Sequence, residues 1–266
     1  MPREYEKLFQ NCYELFFKKL FMKTRLDRLL VEKGLAETRS KAAALIMAGS
    51  VLIDGTLVTK AGTLVSENVR VTLKESPRYV SRAGDKLLAA LDTFGVDPAG
   101  RIAIDIGAST GGFTDVMLQR GAAKVYAVDV GRGQIHWKLR THEKVVSLEG
   151  INVRNLDPSL IGDRCDLATF DVSFISLRLV VPPVLHVLKS GADIIALIKP
   201  QFEAGREHIG KGGILKDHAI AQEVIRDMEA FLTGLACTVS GTIPSPVKGI
   251  KGNQEYLVHA RFRGAV

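Results

Sequence analysis

Cysteine is scarce in this chain, and its three copies, Cys12, Cys165 and Cys237, stand far apart. Thiols so spaced make neither a disulfide framework nor a metal-ligand cluster, which points to a reducing, cytoplasmic setting. The histidines (His136, His142, His186, His208, His218 and His259) show no H-E-x-x-H or paired-ligand spacing, so no metal centre is expected. Apolar runs of transmembrane length are absent as well, and no membrane partner is expected. Residues 1–21 hold six of the aromatics (Tyr5, Phe9, Tyr13, Phe16, Phe17 and Phe21), with Tyr5, Leu8, Phe9, Cys12, Phe16 and Leu20 at helical spacing. This segment lacks the apolar centre and small-residue cleavage site of a signal peptide, and its polar face is not strongly basic. It reads as an amphipathic helix that docks on the body of the protein, or as an extension ahead of an alternative start at Met22.

What is present in excess is positive charge, and it is uneven. The formal net charge is +7. The first 85 residues carry 15 Lys and Arg against 10 Asp and Glu; the remainder carries 21 against 19. A small basic segment beside a nearly neutral larger one fits an attached nucleic-acid-binding module, although charge alone fits a solvated surface equally well. No feature of the sequence specifies an oligomeric state.

The pattern divides the chain into an extension (1–22), a small α+β domain (23–73), a linker (74–85, with Pro77 and Gly84) and a large α/β domain (86–266). In the small domain, Thr24 is expected to cap a helix that buries Leu26, Leu29 and Leu30 and ends at Gly34. Thr38 opens a second helix that stops at Gly49; Val51-Leu52-Ile53, Asp54-Gly55 and Leu57-Val58 read as a hairpin, and 69–73 as a closing strand. From residue 101 strands and helices alternate: strands 101–106, 124–129, 145–149, 166–171 and 192–199, helices 112–120, 178–188 and 217–233, then strands 237–243 and 255–262. Such alternation predicts a doubly wound, mainly parallel, Rossmann-like sheet with ligands at the strands' carboxyl ends.

The stretch Ile104-Asp105-Ile106-Gly107-Ala108-Ser109-Thr110-Gly111-Gly112-Phe113-Thr114-Asp115 reads as strand, glycine turn and helix start. The G-x-G-x-x-G dinucleotide spacing fails here, and Phe113 stands where a P-loop requires lysine. Gly107 to Gly111 satisfies the G-x-S-x-G nucleophile elbow, with Ser109 as nucleophile. That elbow follows several earlier strands in its own fold, whereas this loop follows the first. Glycines that admit close approach, beside the acidic Asp105, suit a nucleoside without phosphates, and S-adenosylmethionine is the natural candidate. Gly107, Ser109, Gly111, Gly112 and Phe113 would form its cradle, with Asp105 near its sulfonium. Asp129, ending the next strand, can accept from both ribose hydroxyls, and Asn152, beyond the third strand, can meet the adenine edge.

The fourth strand ends in Asp171-Val172-Ser173-Phe174, without the Asn/Asp-Pro-Pro-aromatic turn of amino methylation. Cys165 follows Arg164, not the proline usual in pyrimidine carbon methylation. Oxygen methylation is left. The elements bearing Asp171, Lys199 (in L-I-K-P) and Glu255 (in G-N-Q-E-Y-L) run to one sheet edge, and Lys86 (in S-R-A-G-D-K-L) immediately precedes the domain. With D-I-G-A-S-T-G-G-F-T-D, this set resembles the FtsJ-type ribose 2′-O-methyltransferases and their Lys-Asp-Lys-Glu tetrad, whose fold is the class I methyltransferase sheet. T-R-L-D-R-L-L-V-E-K-G-L-A-E-T-R-S-K-A followed by I-M-A-G-S-V-L-I-D-G resembles the αL RNA-binding domain of a small-subunit ribosomal protein, pseudouridine synthases and tyrosyl-tRNA synthetases. There Arg25, Arg28, Arg39, Ser40 and Lys41 fall at positions that meet RNA phosphates. From about residue 22 onward the chain is similar to the TlyA (hemolysin A) family, and Asn152 fits that group's N-V-R-N-L form.

The resemblance implies S-adenosylmethionine-dependent 2′-O-methylation of cytidine in ribosomal RNA or ribosomal subunits, not DNA. A 2′-hydroxyl is a very weak acid, so a lysine must take its proton. Lys199 is the expected base, oriented by Asp171; Lys86 and Glu255 would position the hydroxyl. Arg82, Lys248 and Lys251 would line the RNA path, and Phe202 would stack on a base or pack in the core. The alternatives are a non-catalytic RNA-binding or ribosome-assembly factor and a membrane-active hemolysin.

Overall fold

The computed structural model describes residues 23–74, 78–215, 217–249 and 251–264. The helix expected over 1–21, with Cys12 and the start at Met22, lies outside the described residues. The chain divides into two compact units, Met1–Ser76 and Pro77–Val266.

The smaller unit runs β1 (Lys23–Arg25), α1 (Leu26–Glu32), α2 (Arg39–Met47), β2 (Val51–Ile53), β3 (Thr56–Leu57), β4 (Leu64–Ser66) and β5 (Val71–Leu73). Strand β1 pairs with β4, and β2 lies between β3 and β5. Leu26, Leu29 and Leu30 of α1 meet Ala42 and Ile46 of α2 over Val51 and Val65, the only apolar layer a segment this short can close. Thr38 caps α2 as expected, its Oγ1 accepting the Lys41 N–H at 3.2 Å. Thr24 caps nothing: it pairs with Val65 in β1, and the chain enters α1 only after Arg25. Ladder pairing holds the backbone extended where the sequence pattern alone favours a cap.

The larger unit runs α3 (Ala83–Phe94), β6 (Ile102–Ile106), α4 (Gly112–Gln119), β7 (Lys124–Asp129), α5 (Trp137–Arg140), β8 (Val145–Glu149), β9 (Cys165–Phe170), α6 (Leu177–Leu185), β10 (Leu188–Ile198), α7 (Pro200–Glu203), α8 (His218–Gly234), β11 (Cys237–Pro244) and β12 (Tyr256–Phe262). Helix α3 starts inside the stretch expected to be a linker. It buries Leu87, Ala90 and Leu91 and ends at Gly95, whose φ of 65° is left-handed. Strand β10 begins at Leu188 and α6 stops at Leu185, both earlier than expected, because Leu188 already pairs with Cys165.

The seven strands order as β11-β12-β10-β9-β6-β7-β8, with β12 antiparallel to both neighbours and the rest parallel. Side chains alternate across the sheet. Ile104, Ile106, Ala168, Phe170, Ile194 and Ala196 feed one core. Ala103, Leu167, Ile195 and Leu197 feed the other, under α3 and α4. Both faces are covered, which is why these strands are apolar throughout. Strand order reverses between β6 and β9, and a crevice opens at the carboxyl ends of the strands there.

Near the opposite end of the sheet, Asp193 is buried against His259, Arg101 and Arg261. Burial resists its ionisation, but hydrogen bonds from His259 and Arg101 and the charges of His259 and Arg261 outweigh it and hold the carboxyl at about 2. A depressed carboxylate contributes stability above its unfolded value of 3.8 and loses it as pH falls through its folded value. Thermal unfolding of wild type should therefore lose about 2 kcal/mol between pH 4 and pH 2 that Asp193→Asn, already less stable at pH 7, does not lose. Parallel acid profiles of the two proteins would remove this assignment.

Candidate active site

One cavity of about 530 Å³ occupies that crevice. Its wall includes Gly107, Ala108, Ser109, Thr110, Gly112 and Phe113 from the turn after β6, and Asp171, Ser173 and Phe174 from the turn after β9. Lys199, Gln201 and Phe202 follow β10, Lys86 and Arg82 come from the start of α3, and Lys248, Lys251 and Glu255 precede β12. Sequence-distant groups meet here because parallel strands deliver all their carboxyl ends to one edge.

The four tetrad positions form two ion pairs. Lys86 Nζ lies 2.6 Å from Glu255 Oε2, and Lys199 Nζ lies 2.6 Å from Asp171 Oδ1. Lys86, Lys199 and Glu255 are each at least nine-tenths buried. Charges so far from water are costly unless paired, and pairing only roughly offsets that cost. Lys199 also donates to Ser173 Oγ at 2.9 Å.

Glycine explains how close the strands come. Gly107 has φ 79°, and a side chain there would stand 2.6 Å from the main-chain oxygen of Asp171. Gly112 is bare because the start of α3 rests on it: an added Cβ would strike Ser81 and Ala83. That contact seats Lys86 beside the loop. Gly111, at φ 96°, faces Leu139 and is absent from the cavity wall.

Three further positions expected at the cofactor, Asp105, Asp129 and Asn152, are likewise absent from the cavity wall. Asp105 is wholly buried behind the cavity wall, accepting from Thr114 N and Oγ1 at 2.9 and 2.7 Å and from Thr169 Oγ1 at 2.9 Å. It ties the first turn of α4 to β9: its side chain is on the α4 face of β6, where Thr114 closes over it. Burial outweighs those hydrogen bonds and pushes its carboxyl up to about 6. Asp129 accepts the amides of Ser109 and Gly131, both at 2.7 Å. Asn152 Oδ1 accepts the Arg154 amide at 3.1 Å. Neither Asp129 nor Asn152 lines the cavity.

Ser109 has the left-handed backbone of a nucleophile elbow, with φ 49°. Among the described residues no histidine lines the cavity, so the elbow has no histidine base there. Sequence reading passed over Ser173, Gln201 and Asn253 as lining residues; the only signal for Ser173 was its place two positions beyond Asp171. Phe202 packs against Phe174, ring centroids 5.0 Å apart, at the cavity mouth.

In the smaller unit every expected phosphate-binding cation has a local carboxylate. Arg25 and Arg39 share Asp27 at 2.9 and 3.1 Å, Arg28 pairs with Glu32, and Lys41 with Glu37. Hydrogen bonding from Arg25, against the cost of burial, holds Asp27 at about 2. The cations themselves are more than half exposed, and Ser40 is exposed too. Among the described residues no helix is long and apolar enough to cross a membrane.

Gly107→Ala should lower stability by about 2 kcal/mol, from left-handed strain and the clash with Asp171. Calorimetric melting measures this; an unchanged melting temperature would mean that the turn relaxes freely.

Compared with known proteins, residues 79–262 match the FtsJ-like methyltransferase family and residues 24–71 the S4 domain. The chain is 48% identical to YqxC of Bacillus subtilis, over 91% of this chain and 87% of that protein. It is 44% identical to the 16S/23S rRNA (cytidine-2'-O)-methyltransferase TlyA of Mycobacterium tuberculosis, over 90% of each. A solved structure of a hemolysin-designated protein from Streptococcus thermophilus aligns with a TM-score of 0.70 at 45% identity, over 90% of this chain and 88% of that one.

Proposed function

This chain belongs to the FtsJ-like methyltransferase family, and on that premise we propose that it methylates a cytidine ribose 2′-hydroxyl in ribosomal RNA, using S-adenosylmethionine. The observation that carries this reading is the pair of buried ion pairs, Lys86–Glu255 and Lys199–Asp171, on one cavity wall with the glycine turn. A non-catalytic RNA-binding factor has no use for two costly buried pairs facing open space.

The turn suits the donor. Gly107 and Gly112 stand on the cavity wall, no lysine stands where a phosphate would need one, and the carboxylate of Asp129 keeps unused lone pairs after accepting two amides. Bound there, S-adenosylmethionine supplies an electrophilic methyl group. Gly107, Ser109, Gly112 and Phe113 would hold it, with Asp129 meeting ribose hydroxyls once side chains adjust, and Asn152 near the adenine. Lys199 takes the hydroxyl proton while Asp171 orients it. Lys86 and Glu255 hold the hydroxyl in line with the reacting bond, where alignment contributes most of the rate gain.

RNA recognition falls to two sets of cations. Arg25, Arg28, Arg39, Ser40 and Lys41 serve the S4-type unit, exchanging exposed carboxylate partners for phosphates. Arg82, Lys248 and Lys251 serve the cavity rim. Phosphate contacts of this kind position the protein and carry little sequence information. The substrate, free RNA or an assembled subunit, places the work in the cytoplasm.

Purified protein should transfer labelled methyl groups to ribosomal RNA or subunits. Lys199→Ala should abolish transfer while calorimetry shows donor affinity preserved; transfer that survives Lys199→Ala would sink the tetrad assignment. Removing Arg28 and Lys41 together should reduce the slope of log affinity against log salt by roughly 1 to 2. A slope equal to wild type would take the S4-type unit out of the RNA contact.

A further inference from the structure

We propose that Ser173 is a positioning residue for the reacting amine, fixing the rotation of Lys199 Nζ so that one tetrahedral position faces the substrate hydroxyl. This rests on the methyl transfer proposed above. Lys199 Nζ lies 2.6 Å from Asp171 Oδ1 and donates to Ser173 Oγ at 2.9 Å. A neutral amine carries two N–H groups and one lone pair; an ammonium carries three N–H groups. Two acceptors take two of those positions, and the third is left for the cavity on whose wall Lys199, Asp171 and Ser173 all stand. With Asp171 alone, the lone pair could take either of the two remaining staggered positions and would face the hydroxyl in only about one setting of two.

The surrounding loops are built to hold Ser173 still. At their far end Glu203, behind Lys199, accepts from Ser176 Oγ at 2.5 Å and from the Leu177 amide at 2.8 Å, which anchors the start of α6. The turns after β9 and β10 are therefore tied at both ends, by Lys199 to Asp171 and Ser173 and by Glu203 to Ser176 and Leu177. Between the ties, Phe174 adopts a left-handed φ of 63° while 89% exposed. Its burial does not compensate that conformation, which costs about 1–3 kcal/mol and persists only where the flanking structure imposes it.

In the step itself, the 2′-oxygen forms a bond to the methyl carbon and the carbon–sulfur bond pair returns to sulfur, leaving a neutral thioether. Lys199 first gives its third ammonium proton to solvent in the cavity, and the hydroxyl proton then passes to the lone pair so exposed. The resulting ammonium donates to Asp171 and Ser173, so the same two acceptors serve before and after transfer.

Ser173→Ala should lower turnover roughly two- to threefold, with the RNA KM and the calorimetric donor affinity unchanged from wild type, and Ser173→Thr should restore most of the loss. Independently of any substrate, 15N relaxation of the Lys199 ammonium, assigned by its disappearance in Lys199→Ala, should show faster rotation in Ser173→Ala than in wild type. Wild-type turnover in Ser173→Ala, failure of Ser173→Thr to rescue, or unchanged ammonium rotation would each overturn the role of Ser173. If wild type itself transfers no methyl, the methyl-transfer reading falls, and the relaxation comparison alone then judges whether Ser173 fixes the amine.

Discussion

The site depends on the close approach of the Gly107 backbone to the main-chain oxygen of Asp171. The Gly107 amide donates to Val128 O and the Asp171 amide to Ile106 O, both at 2.9 Å, so β7, β6 and β9 are bonded together up to their last residues. Any side chain at 107 would push the turn after β6 away from the turn after β9. Because strand order reverses between β6 and β9, the helices that follow them leave on opposite faces of the sheet, and the space between their starts becomes the cavity. Gly112 plays the matching part on the other side, where the first turn of α3 rests on it and brings Lys86 to the wall. Two glycines thus set the width of the site and the position of one of its cations.

The two units handle positive charge in opposite ways. In the larger one, Lys86 and Lys199 are withdrawn from water and each is committed to one carboxylate. Removing either partner would strand a buried charge, at a cost of several kcal/mol. In the smaller unit the arginines and Lys41 are exposed, and their pairs with Glu32 and Glu37 are of the kind that contribute less than about 1 kcal/mol. Such pairs exchange readily for phosphate. Asp27 differs because it is buried beneath Arg25 and Arg39, holding both guanidinium groups near the surface of α1 and α2. Buried pairs give geometry, exposed pairs give adaptable affinity, and an RNA-modifying enzyme needs both.

Most of the sheet was legible because buried parallel strands must be apolar on both faces. β7 and β8 fall where the pattern places them, and β6, β9, β11 and β12 within a residue or so. Boundaries failed where a tertiary partner overruled local preference: Thr24 is drawn into β1 by Val65, and Leu188 into β10 by Cys165. Helix α3 was overlooked as an element because it precedes the first strand of the alternating pattern, although it covers one face of the sheet. Asp105 reads in sequence like a ligand-facing carboxylate; its direction was decided by Thr114 and Thr169, which no spacing rule connects to it.

By itself the sequence determined the alternation of strand and helix, hence the sheet, and the chemical kinds of group that arrive at its carboxyl edge: glycine turn, two lysines, two acids. Strand periodicity and residue chemistry are local properties, so they can be read without coordinates. Only the tertiary structure decided that Lys86 lies against Glu255, that Ser173 shares Lys199 with Asp171, and that Asp105 turns inward while Asp129 accepts two amides. Those outcomes depend on distances between residues far apart in the chain, and strand order together with the missing side chains at Gly107 and Gly112 sets those distances.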